Sequence, residues 1–116
     1  MTRDDMMSWL LTRQDRCPCG QPHELTDVHH VFVRRVRKGM DLLYHPANCV
    51  AANNGCHMAE GREFQVASAL ICFKNAGGPE AVLEWLESLP LKVKHLPRHF
   101  WEAKERRDDP SEAREN

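Results

Sequence analysis

The chain has 116 residues and a formal net charge of −1 at neutral pH, because 16 lysine and arginine residues are balanced by 17 acidic ones. A chain of this length forms one domain with a modest core. No stretch in it is apolar for long enough to span a bilayer or to resemble a secretion signal, so we expect a cytoplasmic protein and not a membrane or secreted one.

A helix, a loop and two strands are predicted for the first half of the chain. Thr2 and Asp5 have the spacing of a capping box before an amphipathic helix near residues 3 to 14. β-branched residues predict a strand at about 25–33, and a short apolar run predicts a second strand at about 48–52. A polar turn then leads into a helix.

Helices are predicted for the second half. The first begins near Cys56, has a break at Gly61 and continues through Phe73. Pro79 starts another helix, and a last one covers about residues 97–107. The charged residues 108–116 are predicted to be a disordered tail, so that residues 1–107 form the single domain.

Adjacent histidines at the end of the first predicted strand carry the main chemical signal. The segment Val28-His29-His30-Val31 is followed by Asn48 at the second strand and by Cys56-His57 at a helix start. Neighbours on a regular strand point to opposite faces, so both histidines can reach one site only at a strand end or a bulge. Histidines of this kind can hold a metal ion or accept a proton from water.

The order of these residues resembles the HNH endonucleases over about residues 17–63. The resemblance implies an α+β fold with a ββα-metal core, which flanking helices surround, and a hydrolase that cleaves DNA phosphodiester bonds. It implies that His29 and His57 bind a divalent metal ion, that His30 is the general base and that Asn48 organises the site. The compact form is similar to the stand-alone versions that bacteriophages carry, in a bacterial cytoplasm.

The identity of the catalytic ion is predicted from its ligands. Two imidazole ligands favour manganese, nickel, cobalt or zinc over magnesium, although the abundance of magnesium lets it compete, and we predict Mg²⁺ or Mn²⁺. Glu60 lies three residues after His57 and resembles the position at which many relatives add a further ligand. A merely solvated glutamate is the alternative.

Five cysteines are an odd number, and their spacing suits a metal site better than a disulfide framework. The family's metal knuckle usually has two Cys-x-x-Cys pairs, whereas this chain has Cys17-Pro18-Cys19 and an asparagine, Asn53, where the second pair should begin. A structural zinc site is predicted from a set of four cysteines: Cys17, Cys19, Cys49 and Cys56. In the alternative, Cys49 is a buried core residue and His23 or Asn53 lies near the fourth vertex.

A basic run follows the histidine strand. It consists of Arg34, Arg35, Arg37 and Lys38, and it is predicted to contact DNA phosphates; a solvated loop is the alternative.

Two further functions are compatible with the pattern. One is a non-catalytic zinc-knuckle module that binds nucleic acid or a protein. The other is a nuclease that is active only with phage packaging proteins, which would dock on the helices after Phe64.

Overall fold

The structure, a computed structural model, describes residues 1–34, 40–58, 61–89 and 96–108. Its elements in chain order are α1 (Arg3–Leu11), β1 (Asp27–His30), a 3-10 turn (Met40–Leu43), β2 (Cys49–Ala52), α2 (Asn54–Met58), α3 (Arg62–Ala76), α4 (Pro79–Ser88) and α5 (Arg98–Asp108). The predicted α+β class is confirmed. In the described segments, no helix is long and apolar enough to cross a membrane. Residues 109–116, for which a disordered tail was predicted, lie outside the described residues, and Asp108 is the last residue of α5.

The first helix begins as its sequence predicts and ends earlier. Asp5 N donates to Thr2 Oγ1 at 3.2 Å and Thr2 N donates to Asp5 Oδ2 at 3.3 Å, which completes the capping box. The helix ends at Leu11 and not near residue 14. Gln14 lies outside it, and the buried side-chain amide of Gln14 bonds both the N–H and the C=O of Ala51. This side chain therefore covers part of the free edge of β2.

The two strands form an antiparallel hairpin in which His29 pairs with Val50 and His30 pairs with Cys49. All four residues of β2 are buried, because helices cover both faces of this strand. Cys49 and Ala51 pack with α1, whereas Val50 packs with the core that α3, α4 and α5 form. The strand β1 is shorter than predicted, since the chain leaves the sheet after His30.

The break between the C-terminal helices is set by a glycine. Gly77 has a φ of +98° and ends α3, with its N–H bonded to the carbonyl of Phe73 at 3.0 Å. Pro79 then occupies the first turn of α4, as predicted. Phe73 and Phe100 meet edge to face at 5.2 Å, and so join α3 to α5.

Candidate metal centre and histidine site

Three cysteines and one histidine are close enough together to hold a metal ion. The ligand atoms of Cys17, Cys19, His23 and Cys56 all lie within 4.8 Å of one another. The Cys56 Sγ lies 3.5 Å from Cys19 Sγ and 3.3 Å from His23 Nδ1. These separations are close to the edge of about 3.7 Å of a tetrahedron with Zn–S bonds of about 2.3 Å. The donor set and its geometry therefore fit zinc.

The loop that carries this cluster is shaped by a tight turn. Gly20 has a φ of +88°, and its N–H bonds the carbonyl of Cys17 at 2.8 Å. A side chain would be strained at this φ, so glycine permits the turn that brings Cys17, Cys19 and His23 together. Asn53, at the other side, accepts from Gly55 N at 3.0 Å and donates to Glu24 O at 2.9 Å. It therefore ties the start of α2, which carries Cys56, to the loop.

The thiols of this cluster interact strongly. A hydrogen bond from the backbone of Gln21 lowers the pKa of Cys19, whereas the neighbouring Cys19 raises the pKa of Cys56 to about 12. One thiolate therefore opposes the formation of a second in the absence of a cation. A divalent ion would remove this penalty, because it attracts every thiolate it binds.

The sequence analysis placed Cys49 in the zinc site, and the structure corrects this assignment. The Cys49 side chain is fully buried between β2 and α1, and its Sγ donates to the carbonyl of Leu43 at 3.1 Å. Burial raises its pKa to about 12. His23 takes its place in the cluster, which agrees with the alternative that Cys49 is a core residue. The reason is the pleat, since Cys49 points to the α1 side of its strand.

The next group of polar side chains lies on β1 and α2. The rings of His29 and His57 are 4.5 Å apart between centroids, and the buried His29 also contacts Phe64 at 5.4 Å. Asp27 Oδ2 lies 3.5 Å from His57 Nδ1. Residues 27 and 29 share one face of the strand because they are two apart. Sequence reasoning missed Asp27, although this spacing from His29 was a signal for it.

The two metal-related groups differ in completeness. Within the described part of the chain, Asp27, His29 and His57 do not gather three donor atoms around one point in the way that the Cys17 cluster does. Glu60, which was predicted as a further metal ligand, lies outside the described residues. Among the described residues, His29 and His57 are therefore a pair of neighbouring imidazoles and not a complete set of metal ligands.

His30 is the last residue of β1 and so stands at a strand end. Its ring lies 4.9 Å from that of Tyr44. Burial, followed by the charge of His57, lowers the pKa of His30. Its Nε2 is buried and has no hydrogen-bond partner within the segments that the structure describes. At neutral pH this imidazole is uncharged and can accept a proton.

Asn48 organises the chain around the histidines. Its Oδ1 accepts from the backbone N–H groups of Phe32 and Val33, each at 2.9 Å, and its Nδ2 donates to Val33 O and Leu43 O at 3.0 and 3.1 Å. The side chain is fully buried, and these bonds use all its acceptor and donor positions. The amide of Asn48 therefore ties the loop after β1 to the residues that lead into β2.

One further histidine supports the same loop. His99 Nε2 lies 2.7 Å from the carbonyl of Val31, and its ring stacks on Phe32 at 5.7 Å. His99 is buried, and the sequence analysis did not single it out. No signal in the sequence connects α5 with a residue so distant along the chain.

Comparisons with known proteins add no evidence on the function of this chain. No family model, no curated protein and no solved structure matches the chain. The resemblance to HNH endonucleases accordingly rests on the histidine, asparagine and cysteine positions alone.

Most of the basic run that was predicted to contact DNA phosphates lies outside the described residues. Arg35, Arg37 and Lys38 lie outside the described residues, and Arg34 is exposed directly before them. The predicted DNA contact of this run stays a prediction.

Proposed function

We propose that this protein is an HNH-type endonuclease that hydrolyses DNA phosphodiester bonds with a divalent metal ion. The observation that carries the proposal is the meeting of His29 and His57, with ring centroids 4.5 Å apart, next to an uncharged His30 at the end of one strand. Phosphodiester hydrolysis needs a base for the attacking water and stabilisation of the charge that develops on the phosphate. These three imidazoles can supply both.

Each residue has a separate task in this proposal. His30 accepts the proton of the attacking water, since it is uncharged and its Nε2 has no hydrogen-bond partner among the described residues. Asp27 holds His57 in orientation through its Nδ1. Asn48 fixes the loop after β1 and so holds the position of His30. Bound between His29 and His57, a Mg²⁺ or Mn²⁺ ion, or Ni²⁺ or Zn²⁺, would stabilise negative charge on the phosphoryl and leaving oxygens.

The Cys17 cluster has a structural role in the same proposal. It joins the loop before β1 to α2, the helix that carries His57. Zinc held there fixes His57 relative to β1, because Cys56 is the residue immediately before His57. A small domain gains much of its stability from such a site. The proposal thus assigns two metals, one structural and one catalytic.

The proposal is tested by following supercoiled plasmid with each of Mg²⁺, Mn²⁺ and Ni²⁺ and with a chelator. Wild type is expected to produce open-circular or linear DNA only with metal, and His30→Ala is expected to lower the rate by about 10²-fold or more. His45→Ala is the matched control, since His45 is also partly buried with a lowered pKa but lies outside the motif. Equal cutting by wild type and His30→Ala would sink the assignment of His30.

A second candidate is a zinc-knuckle module that binds nucleic acid or a protein without cutting. It is favoured by the difference in completeness, because, among the described residues, four donors meet at the cysteine cluster and a pair of imidazoles meets at His29. Intact plasmid under every condition, with folded and zinc-loaded protein, would support this candidate. Cutting that begins only when phage packaging proteins are added would instead support a partner-dependent nuclease.

A further inference from the structure

A separate polar pocket lies where α3 and α5 begin. It has a volume of about 290 Å³ and is lined by Gly61, Arg62, Gln65, Arg98, His99 and Glu102. These residues come from the first turns of the two helices, together with Gly61 before α3. They include none of the residues assigned above to metal binding or proton transfer.

Two arginines in this pocket share one carboxylate. Arg62 Nε donates to Glu102 Oε2 at 2.7 Å, and Arg98 Nε lies 2.9 Å from Glu102 Oε1. The hydrogen bond from Arg62 lowers the pKa of Glu102, so the carboxylate is charged at neutral pH. Two guanidinium groups against one carboxylate leave an excess positive charge in the pocket.

The free ends of these arginines are available to a ligand. Both pair with Glu102 through Nε, so within residues 1–34, 40–58, 61–89 and 96–108 their terminal Nη groups have no partner. The side chains of Arg62 and Arg98 are 68% and 86% exposed. Such donors can form the two parallel bonds with which arginine recognises phosphate.

The positions of both arginines work against local stability. Arg62 and Arg98 are the first residues of α3 and α5, where the helix dipole is positive and a cation is unfavourable. Gly61 precedes α3 and supplies no side-chain cap. One carboxylate, Glu102, offsets the two cations only in part, and an anionic ligand between them would offset the rest.

The pocket is connected to the histidine site by direct contacts. Phe64, in the first turn of α3, contacts His29 at 5.4 Å. His99, which lines the pocket, lies 2.7 Å from the carbonyl of Val31, the residue after His30. The pocket therefore lies close to the histidine site, with buried residues joining the two.

We propose that this pocket binds a backbone phosphate of the DNA substrate, next to the phosphodiester that is cut. Arg62 and Arg98 donate to the phosphate from their Nη groups, and Glu102 competes with the phosphate for both guanidinium groups. This inference rests on the proposed nuclease function. It assigns substrate binding to α3 and α5, whereas the sequence analysis considered the helices after Phe64 only as the docking surface of a partner-dependent nuclease.

The test measures binding of a fluorescently labelled DNA duplex between 50 and 200 mM salt, with His30→Ala in every protein so that the duplex stays intact. Arg62→Gln and Arg98→Gln are each expected to weaken binding about threefold to tenfold and to reduce the salt slope by about one. Arg107→Gln is the matched control. It removes an exposed arginine of α5 that pairs with Asp108, about 13 Å along the helix from Arg98. It is expected to change neither quantity.

A variant that is expected to bind DNA more tightly distinguishes phosphate binding in the pocket from a purely structural role of its residues. Glu102→Gln removes the competing carboxylate, so DNA is expected to bind about twofold to fivefold more tightly and with a steeper salt dependence. A carboxylate that acts only in folding would give unchanged or weaker binding. If a glutamine variant at Arg62 or Arg98 is destabilised, the corresponding lysine variant keeps the charge and should keep the salt slope while losing affinity.

The outcomes separate this inference from the nuclease proposal. Affinity and salt slope that stay unchanged in both arginine variants overturn the pocket, even when wild type cuts plasmid. If DNA binding depends on the two arginines but the wild-type protein leaves plasmid intact with every metal tested, the pocket is supported and the nuclease proposal is overturned. The absence of any binding of the duplex overturns both.

Discussion

The cysteine cluster and the histidine site are neighbours along α2, yet they are built in opposite ways. Cys56 belongs to a group whose four ligand atoms lie within 4.8 Å, whereas the next residue, His57, has one imidazole neighbour and a carboxylate 3.5 Å away. The first is a closed set of donors on a loop with exposed residues, and the second is an open set against a buried strand. Structural zinc sites are closed, and catalytic sites keep coordination positions for water and substrate.

Under the proposed function, this difference separates the group that stabilises the fold from the group that carries out the chemistry. The cluster joins the loop before β1 to α2, and nothing in its donor set is left for a substrate. The histidine pair lies beside His30, whose buried Nε2 has no hydrogen-bond partner among the described residues. Loss of a cysteine should therefore affect stability, whereas loss of a histidine should affect activity.

The largest effect is expected from Cys56→Ser. Loss of one thiolate should release zinc and unfold much of the domain, because structural zinc contributes on the order of 10 kcal/mol in small domains. Zinc content after gentle purification and the melting temperature measure this. Cys49→Ala is the control, since Cys49 lies in the core and should leave one zinc bound at a cost of roughly 1 to 2 kcal/mol. Zinc lost equally from both variants would contradict the Cys3His assignment.

The next effect concerns the support of the histidine site. Asn48→Ala is expected to lower the free energy of unfolding by roughly 3 kcal/mol, because the backbone groups of Phe32, Val33 and Leu43 lose buried partners. Urea denaturation measures it. Asn53→Ala removes an amide that also bonds the backbone but is only partly buried, and about 1 kcal/mol is expected. Equal losses would mean that the side chain of Asn48 stabilises the fold no more than that of Asn53.

The sequence could predict the elements near this support better than it could predict contacts between distant elements. Capping residues, Gly77 and Pro79 act within one turn, so the helix bounds follow from local chemistry. Asn48 stands directly before β2 and bonds the loop that follows the paired strand, so its contacts lie within one hairpin. His23 was left as one alternative, because the fold of the knuckle loop decides whether Cys49 or His23 reaches Cys56.

Contacts between distant parts of the chain gave no comparable signal. Gln14 bonds Ala51, and His99 lies against Val31, through side chains whose partners are more than thirty residues away. A single sequence shows which side chains can form a hydrogen bond, but it does not show which distant residues the fold brings together. For the same reason the pocket between α3 and α5 could not be predicted, since Arg62 and Arg98 join only in the folded chain.

The open character of the histidine site is tested by Asp27→Asn. The amide should hold His57 less firmly and lower the rate of plasmid cutting about tenfold, as substitutions behind metal-binding histidines commonly do. Zinc content and stability should stay unchanged. Asp15→Asn is the control, because Asp15 is exposed outside both sites. A loss of zinc in Asp27→Asn would show that the two sites are not independent.

The smallest effect is a pH dependence of stability near the organising asparagine. His45 accepts the N–H of Asn48 with its carbonyl and the N–H of Ala47 with Nδ1, at 2.9 and 3.0 Å, and it stacks on Trp85. Burial lowers the pKa of His45. The unfolded chain therefore binds the proton more readily, so stability is complete above the ordinary histidine pKa of about 6.5 and falls as the pH drops below it.

His45→Asn keeps an acceptor for the N–H of Ala47 but cannot titrate in this range. With zinc in excess at every pH, its free energy of unfolding should fall less than that of wild type between pH 7.5 and pH 5.5. The comparison of the two proteins cancels the contributions of His30, which has the same sign, and of the zinc ligands. Parallel pH profiles would mean that protonation of His45 leaves the fold around Asn48 intact, and that the acid sensitivity of the domain originates at the histidine site or the zinc cluster.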